Sequence, residues 1–183
     1  IRSFRFFVTD TITSINPATQ QSVGTVHTTN PERFDKILKT SVTAQNKWRE
    51  LRVDERAGIL RQVQKQIVKK SDELISIISE ETGKPFWDGF IEVMTAVEHI
   101  KYMSRHASLI LSKEKRSSGI FIHKRSYVRY FPYGTAGIIS PWNYPLILTS
   151  SPAVEALLSG NTVVLKPSEL TPLTGNKIRQ IFI

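Results

Sequence analysis

The 183-residue chain contains no cysteine. These residues therefore supply no disulfide framework, no thiolate metal site and no thiol nucleophile, and no metal centre is expected. No apolar run approaches the roughly 20 residues that a membrane-spanning helix needs, so no membrane span is expected. The opening segment IRSFRFFVTD lacks an initiating Met and has no long apolar stretch followed by small residues. A processed or trimmed start is expected rather than a signal peptide. The reducing cytoplasm is the expected compartment.

What is present is a globular composition with a basic balance. Hydrophobic residues make up 40% of the chain, enough to bury a core, and the formal net charge is +9. The positive charge is densest in the stretch holding Lys113, Lys115, Arg116, Lys124, Arg125 and Arg129. Such a balance raises the question of nucleic acid. No helix–turn–helix, aromatic RNA-binding strand or zinc spacing accompanies it, so the charge reads as a solvated face and no nucleic-acid partner is expected.

Hydropathy patterning divides the chain. Residues 11–27 alternate apolar and polar side chains around Asn16-Pro17-Ala18-Thr19, which predicts a hairpin. Asn30 as cap and Pro31 at the first helical position open a helix with a stripe of Phe34, Ile37, Leu38 and Val42. Asp54 opens a second helix, with Leu60, Val63 and Ile67 inward. Ser71 opens a third, with Leu74, Ile77 and Ile78 inward, ended by Gly83 and Pro85. A fourth runs from about residue 86 to 111 with Phe90, Val93, Met94, Val97, Ile100 and Met103 on its inner face. The segment SKEKRSSG from Ser112 reads as a linker. The following IFIHKRSYVRYFPYG predicts two strands around Lys124-Arg125. AGIIS and TVVLK then read as short strands buried on both faces of a parallel sheet, joined by a crossover helix closed at Gly160-Asn161.

In open parallel sheets, ligands gather beyond the carboxyl ends of the strands. Two polar groups fall there. The first strand runs through Ile139 into Ser140-Pro141-Trp142-Asn143-Tyr144-Pro145, and the second into Lys166-Pro167-Ser168-Glu169. The prolines restrict the backbone around these polar side chains. Spacing alone leaves two readings open: a ligand site, or a helix cap at Asn143 with Lys166 and Glu169 as surface charges.

The run FPYGTAGIISPWNYPLILTSSPAVEALLSGNTVVLKPSELTPLTGNKI resembles the aldehyde dehydrogenase superfamily. There a Pro-Trp-Asn motif precedes Gly-Asn-Thr-Val-Val-Leu-Lys-Pro-Ser-Glu by one helix. INPATQQSVGTV at 15–26 and EETGKP at 80–85 are weaker matches, so the likeness covers nearly all of the chain but only the N-terminal portion of the family. It implies an α/β fold: an incomplete Rossmann-like parallel sheet with N-terminal helices and an oligomerisation strand pair. By that likeness, residues 1–112 are the hairpin and helices of the cofactor-binding domain, 113–133 the oligomerisation strands and 134–183 its βαβ segment. The family oxidises an aldehyde to a carboxylic acid through a cysteine nucleophile, with hydride passing to a nicotinamide. The resemblance implies Asn143 as the oxyanion-hole donor and Ile139, Ser140, Pro141, Trp142, Lys166, Ser168 and Glu169 around the cofactor. NAD is the expected cofactor, with NADP tolerated, and a homo-oligomer is expected.

Two departures matter. The chain lacks the family's nucleophile and stops before its general-base Glu, so a truncated polypeptide is the expectation. Thr135 stands where the family usually carries Val. A non-catalytic binding or assembly module derived from the same fold is the alternative reading. Purified alone, the 183-residue chain is expected to make no NADH from aldehydes; sustained NADH absorbance after removal of contaminating enzymes would contradict this.

Overall fold

The computed structural model describes residues 11–182. The expectation for the opening segment IRSFRFFVTD therefore lies outside the described residues. The chain begins there with an antiparallel hairpin of β1 (Thr11–Ile15) and β2 (Ser22–His27), pairing Thr11 with His27 and bulging between Ser14 and Ile15. The turn falls at Asn16, whose side-chain oxygen accepts the amides of Ala18 at 2.9 Å and Thr19 at 3.2 Å. This Asx geometry explains why an Asn-Pro pair starts the turn.

Four helices follow: α1 (Phe34–Trp48), α2 (Val53–Lys69), α3 (Ser71–Thr82) and α4 (Phe86–Ile110). Asn30 accepts the Glu32 amide at 2.9 Å and starts a short 3-10 turn at Pro31 that runs into α1. Asp54 does not cap α2. The Glu55 carboxylate takes the Arg52 amide at 2.6 Å instead, and Asp54 accepts the Ser108 hydroxyl, tying α2 to α4. Ser71 likewise lies inside α3, behind Lys70. Gly83 ends α3 with φ of 72°, the left-handed conformation that glycine adopts without strain.

The core forms where α2, α3 and α4 meet. Leu60, Ile67, Leu74, Ile78 and Ile100 are each at most 1% exposed. Full burial of such a side chain contributes about 1.5–3 kcal/mol. Ile75, rather than Ile77, joins them. The reason is Gly89: a Cβ there would stand 3.3 Å from Ile75 Cγ2, so the missing side chain lets α4 close over Ile75. Phe90 and Met94, expected inward, are 37% and 43% exposed.

The α1 stripe is also corrected. Phe34 and Val42 are exposed, and the face that α1 turns inward carries Ser41, Gln45 and Trp48 beside the half-buried Ile37 and Leu38. Those polar groups anchor α1 by hydrogen bonds. Ser41 Oγ lies 2.9 Å from Thr162 Oγ1 and 3.2 Å from Thr135 Oγ1, and the two threonines are 3.1 Å apart. Thr135 thus has a task that valine could not perform.

The parallel unit consists of β5 (Thr135–Ile139), α5 (Ile147–Leu158), β6 (Thr162–Lys166) and α6 (Pro172–Phe182). The strands pair in register from Thr135 with Thr162 to Ile139 with Lys166. Their residues are half-buried or exposed, not buried on both faces, and Ile139 is 83% exposed. Among the described residues no third strand pairs with either outer edge. The carboxyl end of α5 is gripped from the helical layer: Arg56 Nε donates to Leu158 O at 3.0 Å, Trp48 Nε1 to Leu157 O at 2.9 Å and Gln45 Nε2 to Gly160 O at 3.3 Å.

The segment between the helices and this unit departs from expectation. β3 (Glu114–Arg116) lies within the stretch read as linker and pairs antiparallel with β4 (Ser126–Val128). Its composition hid it: Lys115 and Arg116 are exposed, so no apolar face marks the strand. Ile120 and Ile122, whose β-branched character suggested a strand, stand in turns at 88% and 93% exposure. No helix among the described residues is long and apolar enough to cross a membrane.

Gly175 on α6 is the most closely approached of the described glycines: a Cβ there would fall 2.5 Å from Pro167 Cγ. Gly175→Ala must push α6 off the loop after β6. It is expected to cost about 1–3 kcal/mol, read from the urea midpoint, as overpacking does in tight interiors. An unchanged midpoint would show that α6 is free to shift.

Candidate functional site

Because Ile139 and Lys166 are ladder partners, the loops that follow them emerge side by side at the carboxyl edge of the sheet. The ladder extends one step into the loops, with Ser140 N donating to Lys166 O at 3.1 Å. Ser140 is buried, and its hydroxyl accepts the Thr149 hydroxyl at 2.7 Å, tying the first loop to α5. Beyond it Pro141, Trp142 and Asn143 are exposed, and Pro145 turns back inside.

Asn143 does not cap the crossover helix. That task belongs to Glu92 of α4, which is 1% exposed. Its Oε1 accepts the amides of Leu146 at 2.8 Å and Ile147 at 3.3 Å. A buried carboxylate is costly unless its lone pairs and charge are answered. Here the first free amides of a helix, at the positive end of its dipole, answer one oxygen. The Lys84 ammonium, 3.3 Å from Oε2, answers the other. The same ammonium contacts the backbone carbonyl of Asn143 and stands 3.7 Å from the centre of the Tyr144 ring. The Asn143 carboxamide itself makes no hydrogen bond to the described residues.

The second loop is built in parallel fashion. Glu81 of α3, 4% exposed, accepts the Leu173 amide at 2.8 Å, the Thr174 amide at 2.8 Å and the Thr174 hydroxyl at 2.7 Å. It thereby caps α6 and holds the turn in front of it. Ser168 is buried in that turn, and its hydroxyl accepts the Leu170 amide at 3.2 Å. Lys166 and Glu169 project outward and pair at 2.8 Å, their side chains 61% and 62% exposed. The Lys166 hydrogen bond and charge, with a backbone hydrogen bond, hold the Glu169 carboxyl below the usual carboxylate range.

The edge thus carries Ile139, Trp142, Asn143, Lys166 and Glu169 on its exposed side, while Ser140 and Ser168 are turned inward to hold the loops. Sequence reasoning missed Lys84, Glu81 and Glu92, which brace the loops from behind. The signal was there. Glu92 falls on the helical face of Gly89, Val93 and Ala96, and Glu81 on that of Leu74 and Ile78, where an acid needs a partner.

The aldehyde dehydrogenase family model matches residues 7–183, and the chain belongs to that family. It is 30% identical over 182 residues to the 1-pyrroline-5-carboxylate dehydrogenase 2 of Halalkalibacterium halodurans, covering 99% of this chain and 35% of the relative. Its fold superposes on an aldehyde dehydrogenase of Brucella melitensis biovar abortus with a TM-score of 0.87 at 29% identity, over 94% of this chain and 35% of that one. A NADP-dependent glyceraldehyde-3-phosphate dehydrogenase of Bacillus halodurans, solved with NADP, gives a TM-score of 0.86 at 26% identity, over 94% and 37%. The chain therefore spans about a third of the length of the proteins it matches.

Replacing Lys166 by Met removes the first cause of the depressed Glu169 acidity. In the parent, the pair persists as pH falls until Glu169 protonates below the usual carboxylate range. In Lys166→Met, the titration of the Glu169 carboxyl carbon, followed by NMR, is expected to move up toward the ordinary value. An unmoved midpoint would show that the pair is not formed in solution.

Proposed function

We propose that this chain is the N-terminal, cofactor-binding portion of an NAD(P)-dependent aldehyde dehydrogenase that acts in the cytoplasm and oxidises an aldehyde to a carboxylic acid. One observation carries the reading: the Asn143 carboxamide is exposed and unpaired because Glu92 has taken over the capping of α5. A polar side chain released from structural duty, on a loop tied down on both sides, suits a preorganised donor to a developing oxyanion. The Asn143 amide N–H would donate to the alkoxide oxygen that forms when a thiolate from the rest of the enzyme attacks the aldehyde. Pro141 and Trp142 shape the loop that aims it.

The carboxyl edge also suits a dinucleotide. Two adjacent parallel strands end together, and the backbone of Ile139 and Ser140 lies at the edge from which their loops emerge. Lys166 and Glu169 are exposed and can exchange their mutual contact for ribose hydroxyls. Ser168, turned inward, holds the turn between them by accepting the Leu170 amide, and so shapes the cofactor edge without facing it. Bound there, the nicotinamide cofactor supplies the hydride acceptor. In this reading residues 1–112 and 134–183 form the cofactor-binding domain and 113–133 the oligomerisation strands. The exposure of Ile120, Ile122, Phe131 and Tyr133, at 88%, 93%, 74% and 105%, supports a homo-oligomer, because large apolar groups left at a surface favour association.

Glu169 should decide between the cofactors. A carboxylate accepts from a free ribose diol and repels a 2′-phosphate, while Lys166 offsets part of that repulsion. In the full-length enzyme, kcat/KM is expected to favour NAD, with NADP tolerated. Glu169→Gln should move the ratio toward NADP by about tenfold, a heavily discounted fraction of a unit-charge interaction at contact distance. A ratio unmoved by the substitution would take the choice away from Glu169, and an enzyme that oxidises no aldehyde with either cofactor would overturn the proposal as a whole.

A further inference from the structure

We propose that Lys84 is the positioning residue for Asn143, acting through the Asn143 backbone carbonyl; this rests on the donor role proposed for that asparagine. One ammonium meets three groups: the Asn143 carbonyl, the Glu92 carboxylate at 3.3 Å and the Tyr144 ring at 3.7 Å. Its own backbone is set on both sides. Gly83 closes α3 in the left-handed conformation with its amide on Ser79 O at 2.9 Å, and Pro85 caps α4 in an extended conformation. Lys84 therefore sits at a rigid corner between two core helices, with its side chain only 18% exposed.

Glu92 joins the two halves of the arrangement. One carboxylate oxygen faces Lys84, and the other holds the amides of Leu146 and Ile147. The loop is thus pinned at residue 143 through the lysine and at residue 146 directly, both times to the same buried acid. Fixing the carbonyl of residue 143 fixes the plane of the peptide that follows it and so narrows the directions the carboxamide can take. A donor misplaced by an ångström loses most of its value to a transition state while binding of the substrate changes little. The Lys84 ammonium bonds the Asn143 carbonyl and not its carboxamide, so its effect on that carboxamide must pass through the Asn143 backbone.

The test is a double-mutant cycle on kcat in the full-length, cysteine-bearing enzyme. Asn143→Ala is expected to lower kcat by about 10²–10³-fold. Lys84→Met is expected to lower it by about 10–10²-fold, with the cofactor dissociation constant unchanged. The double variant is expected to be no slower than Asn143→Ala alone, within about twofold. Lys84→Arg, which keeps the cation, is expected to recover most of the loss, and Lys84→Gln, which removes the charge, carries the cycle if Lys84→Met does not fold. Additive losses, or a Lys84→Met enzyme with parental kcat, would overturn the inference.

Hydrogen exchange separates this inference from the reading beneath it. Lys84→Met is expected to speed exchange at residues 143–147 while the α2–α4 core keeps its protection. If Asn143→Ala leaves kcat intact, the donor role fails, and the exchange data alone decide whether Lys84 positions the loop. Unchanged exchange there would overturn the positioning.

Discussion

Helix α5 crosses from one parallel strand to the next with a charge from the helical layer at each end. Its first free amides close on Glu92, and its last carbonyls receive Arg56, Trp48 and Gln45. A helix leaves four amides and four carbonyls without intrahelical partners, and its dipole favours an acid at the start and a base at the end. Here both demands are met inside the protein, by residues 6% exposed or less at Arg56, Gln45 and Glu92. Burial pulls the Arg56 guanidinium below its ordinary pKa, yet it remains a cation under any physiological condition. A second Arg56 bond, to Leu51 O at 2.6 Å, completes the clasp.

The placement of the site follows from this clasp. α5 lies between the two loops in the chain, so whatever fixes its ends fixes where the first loop finishes and where β6 begins. Glu81 repeats the device on α6 and so sets Gly175 of that helix against Pro167 of the second loop. Residues that display chemistry at the carboxyl edge are held by residues that display none, from α3 and α4. A substitution at Glu81 or Glu92 would leave helix amides or a lysine unanswered in the interior, the costlier half of breaking a buried ionic contact.

Much of this was legible in the amino-acid pattern. Asn16-Pro17 announced the hairpin turn, Gly83 the end of α3, and AGIIS and TVVLK the parallel pair, because turn chemistry and apolar periodicity act over a few residues. What stayed hidden depends on contacts distant in the chain. Glu92 meets Leu146 across 54 positions and Glu81 meets Thr174 across 93, so the pattern can set each acid on an apolar helical face but cannot name the partner that answers it. α1 misled for a related reason: its inward face is polar because it hydrogen-bonds to strands more than 90 positions away. β3 misled because an exposed two-stranded ribbon needs no apolar face at all. Among the site residues, the motifs placed Asn143, Lys166 and Glu169 at one edge, but only packing showed which group caps α5 and so left the asparagine free.

The two capping acids also bear on how phosphates are received. The amino end of a helix is ordinarily an open socket for an anion. At α5 the Leu146 and Ile147 amides are occupied by Glu92, and the Leu148 amide by Tyr144 O at 3.1 Å. At α6, Pro172 has no amide, Leu173 and Thr174 are occupied by Glu81, and Gly175 turns back on Thr171 O at 3.2 Å. Both sockets are plugged by the protein's own carboxylates. A diphosphate settling along this edge would find no helix mouth here to receive it, and its negative charge would have to be met by side chains or by another part of the enzyme.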